Sequence, residues 1–341
     1  MKKYAMYVGI DVSKLKLDVS FFVDDSKKEV HHFIVSNDKK GIMNLMKVVK
    51  RQKIDLDNVL FCQENTGVYS MPLCLYFSEN NLDHWVVPAI EIKRSKGIAR
   101  GKNDKTDAKD IAFYAYTHAH KLVLSKLPEK DIQKLKILFT ERDKVLKAIR
   151  LFDSTIEIKS FLPNDITKVV LSTNNKILKD LKKALKEIDS KIQLVIKQNT
   201  VIKQQYQLIQ SIPGVGIQTT VYLIVATKCF QSFSDWRKLA CYAGVAPFEY
   251  SSGSSIRGRT KVNHMADKKM KSLLNMCALS AKKHDAQLKE YYERKIKEGK
   301  NPMLVMNNLR CKLLSRIFAV VNRQTPFVNI NKFAALSLIH I

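Results

Sequence analysis

The spacing of hydrophobic and polar residues changes several times along this chain, and each change marks an element. Residues 4–12 are rich in β-branched and aromatic side chains and predict a strand. Leu15, Leu17, Val19 and Phe21 then alternate with Lys16, Asp18 and Ser20, the two-residue period of a half-buried strand. Asp24-Asp25-Ser26-Lys27-Lys28 is a turn, and residues 30–35 are apolar again around His31 and His32. Three consecutive antiparallel strands are expected. Ser36-Asn37-Asp38 caps a helix whose apolar positions are Ile42, Leu45, Met46 and Val49. Residues 59–62 form a short apolar strand, with Glu64 close behind and a turn at Gly67. A helix over Met71–Glu79 and a strand over His84–Val87 follow, then a basic helix that leads into Gly101.

After Pro128 the period becomes helical. Ile132, Leu135, Phe139, Leu146 and Ile149 recur through a charged background. Pro163-Asn164-Asp165 interrupts, and Ile177, Leu181, Leu185, Ile188, Ile192 and Val195 take up the spacing again. This predicts a helical hairpin or coiled coil, packed within one chain or between chains. Ile212-Pro213-Gly214-Val215-Gly216 separates two further helical runs, and residues 236–244 form a short helix. A serine-rich loop precedes Arg257, and three helices follow, over residues 273–281, 288–297 and 303–321. The expected organisation is an α/β domain over residues 1–125, a helical hairpin over 126–203, a mainly α domain over 204–325 and a tail over 326–341.

Charge narrows the partners. The chain has 341 residues, with 59 Lys and Arg against 32 Asp and Glu, a formal charge of +27. Its hydrophobic content of 45% excludes a disordered basic tail. A folded chain this basic is most simply a nucleic-acid binder, with an anionic membrane surface as the alternative. No apolar run reaches the ~20 residues of a membrane-spanning helix. The six cysteines form no CxxC pair and several lie in apolar runs, as reduced core thiols of a cytoplasmic protein do.

Candidate chemistry centres on Gly-Lys-Asn-Asp-Lys-Thr-Asp-Ala-Lys-Asp at residues 101–110. Asp104 and Asp107 are three residues apart at a helix start, so both carboxylates can share a face. Lys102 and Lys105 stand among several neighbouring cations. Carboxylates suit a hard metal ion, and the cations suit a phosphodiester backbone. The ordinary alternative makes Asp104 an N-cap and Asp107 an acid favoured by the helix dipole. Asp11 near the end of the first strand and Glu64 after the fourth extend the pattern, which resembles the RNase-H-like nuclease fold. In that fold such acids sit at strand ends and on a late helix. Gly214 and Gly216 resemble the turn of a helix-hairpin-helix, whose backbone N–H groups reach a phosphate; a tight turn between packed helices explains them equally well. Ser252 beside Gly253, followed by Arg257, Arg259 and Lys261, places a hydroxyl near cations able to offset phosphate charge.

Taken together, these motifs resemble the DEDD transposases of bacterial insertion sequences, relatives of the Piv-type DNA invertases. The resemblance rests on Val8-Gly9-Ile10-Asp11-Val12-Ser13-Lys14, Glu64-Asn65-Thr66-Gly67 and Lys102-Asn103-Asp104-Lys105-Thr106-Asp107-Ala108. It continues through Ile212-Pro213-Gly214-Val215-Gly216, Tyr242-Ala243-Gly244-Val245-Ala246-Pro247, Ser252-Gly253 and Arg257-Gly258-Arg259. It implies an RNase-H-like domain, a helical-hairpin linker and a C-terminal transposase domain. It also implies Mg²⁺ on Asp11, Glu64, Asp104 and Asp107, and a nucleophilic serine at Ser252, with Ser251 as a second candidate. Implied partners are double-stranded DNA at the element ends and target, a structured non-coding guide RNA, and further copies of the chain in a dimer or tetramer, with no membrane. The implied location is the bacterial cytoplasm, at the nucleoid. After Arg259 many members carry a Lys/Gly-rich turn, where this chain has Val262-Asn263-His264-Met265-Ala266-Asp267. Two other readings remain open: a metal-dependent junction-resolving nuclease that uses water, and a catalytically inactive nucleic-acid-binding protein.

Overall fold

The computed structural model describes residues 2–23, 31–95, 103–153, 161–252, 256–262 and 265–329. The chain divides into two compact units, Met1–Leu127 and Pro128–Ile341.

The first unit is built on a five-stranded sheet. Its strands are β1 (Met6–Val12), β2 (Lys16–Val23), β3 (His31–Ser36), β4 (Val59–Glu64) and β5 (His84–Val87). The spatial order is β3-β2-β1-β4-β5. β1 and β2, and β2 and β3, pair antiparallel, while β1–β4 and β4–β5 pair parallel. One face packs against α1 (Lys39–Arg51) and α2 (Met71–Glu79), burying Val8, Ile10, Leu17, Val19 and Phe61 with Ile42, Leu45, Leu73 and Phe77. Asp38 caps α1, its side chain accepting from the Gly41 N–H at 2.8 Å, as the sequence predicts. The opposite face meets α4 (Asp104–Thr117), where Tyr7, Leu60, Cys62 and Trp85 join Ile111, Tyr114 and Ala115. A short α3 (Ala89–Ser95) precedes α4.

Because helices cover both faces, β2 departs from the expected half-buried pattern. Asp18 is 3% exposed and Ser20 is fully buried. Both lie on the face that α4 covers. Alternation of polar and apolar residues therefore marked the two faces correctly but misassigned one of them to solvent.

Among its described residues the second unit is helical apart from one hairpin. Helices α5 (Lys130–Asp153) and α6 (Asn164–Gln198) run antiparallel: Asn199, just past α6, donates to Glu129 and Asp131 near the start of α5. Midway, Arg142 Nε donates to Asp189 at 2.7 Å. Ile132, Leu135, Phe139, Ile192 and Ile196 at the base of this pair share one core with the helices that follow. These are α7 (Thr200–Gln210), α8 (Ile217–Thr227), α9 (Trp236–Tyr242), α10 (Lys268–His284), α11 (Ala286–Lys297) and α12 (Pro302–Arg323). The segment expected as a serine-rich loop is instead mostly an antiparallel hairpin of β6 (Pro247–Ser252) and β7 (Ile256–Val262). Its Thr and aromatic positions give it the ladder that loop-like composition concealed. Among the described residues no helix is long and apolar enough to cross a membrane. All six cysteines are free thiols, and four are buried.

Candidate functional site

Strand register decides which acids face one another. Asp11 pairs with Asp18 across β1 and β2. On the other side Ile10 pairs with Gln63 of β4, so Glu64 comes level with Asp11 at the ends of two parallel strands. Paired residues share a face of the sheet. Asp11, Asp18 and Glu64 therefore all lie on the face that α4 covers. Glu64 is held there by the turn behind it: the Asn65 N–H donates to Val87 O at 3.0 Å, and Ser70 Oγ donates to Glu64 O at 3.3 Å.

The helix is brought in by a glycine. A Cβ on Gly9 would lie 2.2 Å from Ala112 N and 2.3 Å from Ala108 O. Only a residue without a side chain lets α4 lie directly on β1, and Ala108 and Ala112 supply the matching small surface. Gly9 is two residues before Asp11, so this contact carries the first turn of α4 to the end of β1. Asn103 is the N-cap, its side chain accepting from Lys105 N–H at 3.1 Å. Asp104 therefore does not cap the helix, and both Asp104 and Asp107 lie in its first turn.

The result is a cluster in which one carboxylate oxygen each from Asp11, Asp104 and Asp107 lies within 4.8 Å of the others. Glu64 stays outside this group, though its charge reaches Asp11. The Asp11 carboxyl is pushed up to about 6, first by burial and then by the charges of Asp107, Asp104, Glu64 and Asp18. Three hard oxygen donors that repel one another, with Asp11 and Asp107 half-buried and Asp104 exposed, fit a divalent cation, which would relieve that repulsion.

Three residues that sequence reasoning did not single out adjoin the cluster. Lys16 Nζ lies 2.7 Å from Asp104 Oδ2 and 3.0 Å from Asp18 Oδ2. His32 Nε2 lies 3.1 Å from Asp18 Oδ1. The signal was available in the spacing: Asp11 and Asp18 flank a tight turn closed by Ser13 N–H donating to Lys16 O, which sets them opposite each other.

The remaining predicted residues are placed as follows. Lys102 lies outside the described residues, and Lys105 is exposed in the first turn of α4. Gly214 has φ +89, and a Cβ there would meet Ala281 of α10 at 2.6 Å, so packing explains this glycine. Gly216 differs: it is exposed at the N-cap of α8, with nothing within 4 Å of its would-be Cβ. Ser252 is the last residue of β6 and pairs with Ile256, while Ser251 pairs with Arg257. Arg259 and Lys261 follow along β7, and residues 253–255 lie outside the described residues. The acids belong to the first unit and the serine hairpin to the second.

Sequence relationships bear on both units. A family model described as "Transposase" for the DEDD proteins of IS110 type matches residues 8–162. A second, "Transposase IS116/IS110/IS902 family", matches residues 206–293. The chain belongs to the IS110-type DEDD transposase family. It is 25% identical over 331 residues to the pilin gene-inverting protein of Moraxella bovis, covering 94% of this chain and 97% of that one. The pilin gene-inverting protein of Moraxella lacunata is 24% identical over the same extent. An uncharacterized 43.6 kDa protein of insertion element IS110 from Streptomyces coelicolor is 30% identical over 118 residues, 35% of this chain and 29% of that protein. The transposase is thus a DNA transposase/recombinase, and the match over residues 8–162 contains all four predicted acids.

Proposed function

We propose that this transposase cuts and rejoins DNA with the acid cluster of its first unit and a serine of its second. The observation that carries the reading is the convergence of Asp11, Asp104 and Asp107 within 4.8 Å. These residues would hold Mg²⁺, with Glu64 completing the acid set. The strand order β3-β2-β1-β4-β5, with acids at the ends of β1 and β4, supports an RNase-H-like identity for the first unit. When bound, the metal supplies a Lewis acid that offsets charge at the scissile phosphate.

Serine is a weak nucleophile at neutral pH and needs a base or a lowered pKa. In this reading Ser252 Oγ gives up its proton to a carboxylate of the acid set and bonds to phosphorus. One P–O bond of the DNA backbone breaks, and the departing oxygen takes a proton. A DNA hydroxyl then attacks the phosphoserine and releases the serine, so the phosphodiester is conserved without another energy source. Arg257 and Arg259 would bind phosphate, and Gly216, exposed at the N-cap of α8, would bring the end of that helix to the backbone. The charge of +27 supports binding to both double-stranded DNA and a structured guide RNA, and the family resemblance supports RNA guidance and a dimer or tetramer. The test is a labelled DNA substrate incubated with Mg²⁺ and run under denaturing conditions. A protein–DNA adduct is expected, and it should vanish in Ser252→Ala. Cleavage without any adduct selects a water-using, junction-resolving nuclease. Binding without cleavage selects an inactive nucleic-acid-binding protein.

A further inference from the structure

The contact between Lys16 and the acid cluster has a specific geometry. Its ammonium bridges Asp104, a member of the proposed ligand set, and Asp18, which pairs directly with Asp11. Both oxygens of Asp18 are engaged, one by Lys16 and the other by His32. Asp18 is buried, so this pair fixes the position to which Lys16 reaches. The Lys16 side chain is 42% exposed along its length, yet its charged end is drawn onto carboxylates, and these contacts raise its pKa.

Two-metal phosphoryl-transfer sites hold their ions about 3.5–4 Å apart, bridged by shared carboxylates. Here Asp104 is the candidate shared carboxylate. One of its oxygens lies within 4.8 Å of oxygens of Asp11 and Asp107, and its Oδ2 meets the Lys16 ammonium, which also meets Asp18. A second ion bridging Asp104 and Asp18 would have to displace Lys16 from both.

We propose that Lys16 is the resident second cation of this site: it occupies the place between Asp104 and Asp18 that a second metal ion would take, so that the cluster binds one divalent ion. This rests on the acid cluster being a metal site. Asp18 and His32 are then positioning residues for Lys16. Once the metal is bound, the ammonium supplies a fixed positive charge beside it, suited to a non-bridging phosphate oxygen of the DNA.

The experiment is a calorimetric titration of the full-length chain with Mn²⁺, checked by the electron paramagnetic resonance signal of free Mn²⁺. Wild type should bind one ion per chain, and Asp11→Asn should lose it. Lys16→Gln removes the competing charge a few ångströms away, so its Mn²⁺ affinity should rise by about tenfold or more, with a second ion entering at higher concentration. Lys16→Arg keeps the charge and should retain a single ion with near wild-type affinity. Circular dichroism verifies that each variant is folded. Unchanged or weaker binding in folded Lys16→Gln overturns the proposal, as do two ions in wild type. If wild type binds no more Mn²⁺ than Asp11→Asn, the metal reading itself is at fault, and the role of Lys16 falls with it. Should Lys16→Gln fail to fold, two ions in Lys16→Arg or in wild type still decide against it.

Discussion

The acid face of the first unit and the serine hairpin of the second are held in different ways. Asp11, Asp18 and Glu64 sit on three adjacent strands whose neighbours are buried on both faces, and α4 is pressed onto β1 at Gly9. Ser252 ends one strand of a two-stranded sheet with a register irregularity between Phe248 and Tyr250. Two-stranded ribbons are marginal on their own. The lesson is that chemistry and folding are coupled in the first region and separable in the second. Substitutions around the acids should disturb both, whereas substitutions at the hairpin end should disturb chemistry alone.

The largest effects test that separation directly. Asp11→Asn and Ser252→Ala should each lower strand cleavage by roughly 10³-fold or more, the scale of losing a catalytic group. DNA binding should survive in both. Mixing the two variants then asks whether the acids and the serine come from one chain. Recovery of part of the activity indicates composite sites shared between subunits; no recovery, with both variants folded and co-assembling, indicates a site within one chain. An adduct that persists in Ser252→Ala but disappears in Ser251→Ala would falsify the choice of serine.

Gly9→Ala comes next. Its Cβ would strike backbone atoms of α4 at 2.2–2.3 Å, and no rotamer can avoid that. We expect a loss of about 3 kcal/mol or more, read as a lowered urea midpoint. Mn²⁺ binding should fall with it, because α4 carries Asp104 and Asp107. A stable Gly9→Ala protein that binds Mn²⁺ normally would break the coupling claimed for this region.

Much of this arrangement was legible in the sequence, for identifiable reasons. Asp11, Glu64, Asp104 and Asp107 could be read because strand ends and a helix start are marked by short apolar runs, and the acids stand just beyond them. The meeting of Asp11, Asp104 and Asp107 depended on α4 lying on β1, which needed Gly9, Ala108 and Ala112 to be read together across a hundred residues. Small residues in contact leave no periodic trace. Asp18 was misplaced because alternation reports two faces without saying what covers each. The β6–β7 hairpin was hidden by Ser and Gly, whose turn preference outweighs the strand signal of Phe248, Tyr250 and Ile256. Gly214 and Gly216 looked alike in sequence, and the backbone angle and the position of α10 distinguish them.

A smaller effect concerns pH. In the folded protein the Asp11 carboxyl is held at about 6, above the ordinary carboxylate range. The folded state therefore binds a proton more tightly than the unfolded state does. Its stabilisation is full below the unfolded pKa and is lost as pH rises through about 6. In metal-free buffer, the melting temperature of wild type should fall between pH 4 and 7 relative to Asp11→Asn. A divalent ion requires the ionised carboxylate, so Mn²⁺ affinity should climb up to pH ~6 and level off above it. A pH-independent difference between the two proteins would show that Asp11 is not under the repulsion inferred from its neighbours.

The smallest effect separates two glycines of the second unit that share one turn. Gly214 adopts φ +89 and lies against Ala281, so Gly214→Ala adds both backbone strain and a collision at 2.6 Å. It should destabilise by about 1–3 kcal/mol. At Gly216 φ is −87, which any residue adopts, and the added methyl would enter open space. Gly216→Ala should therefore change stability by no more than about 0.5 kcal/mol. Its effect should appear instead in nucleic-acid affinity, because a methyl at the N-cap of α8 would stand between the helix N–H groups and an approaching phosphate. A several-fold weaker affinity, with unchanged salt dependence, is the expected result of fluorescence-anisotropy titrations with duplex DNA and with structured RNA. The salt slope counts cations that neutralise phosphate, and an amide contact contributes none. If Gly216→Ala binds both nucleic acids like wild type, the exposed N-cap of α8 is only the end of a helix, and the basic side chains of the second unit must carry its contacts alone.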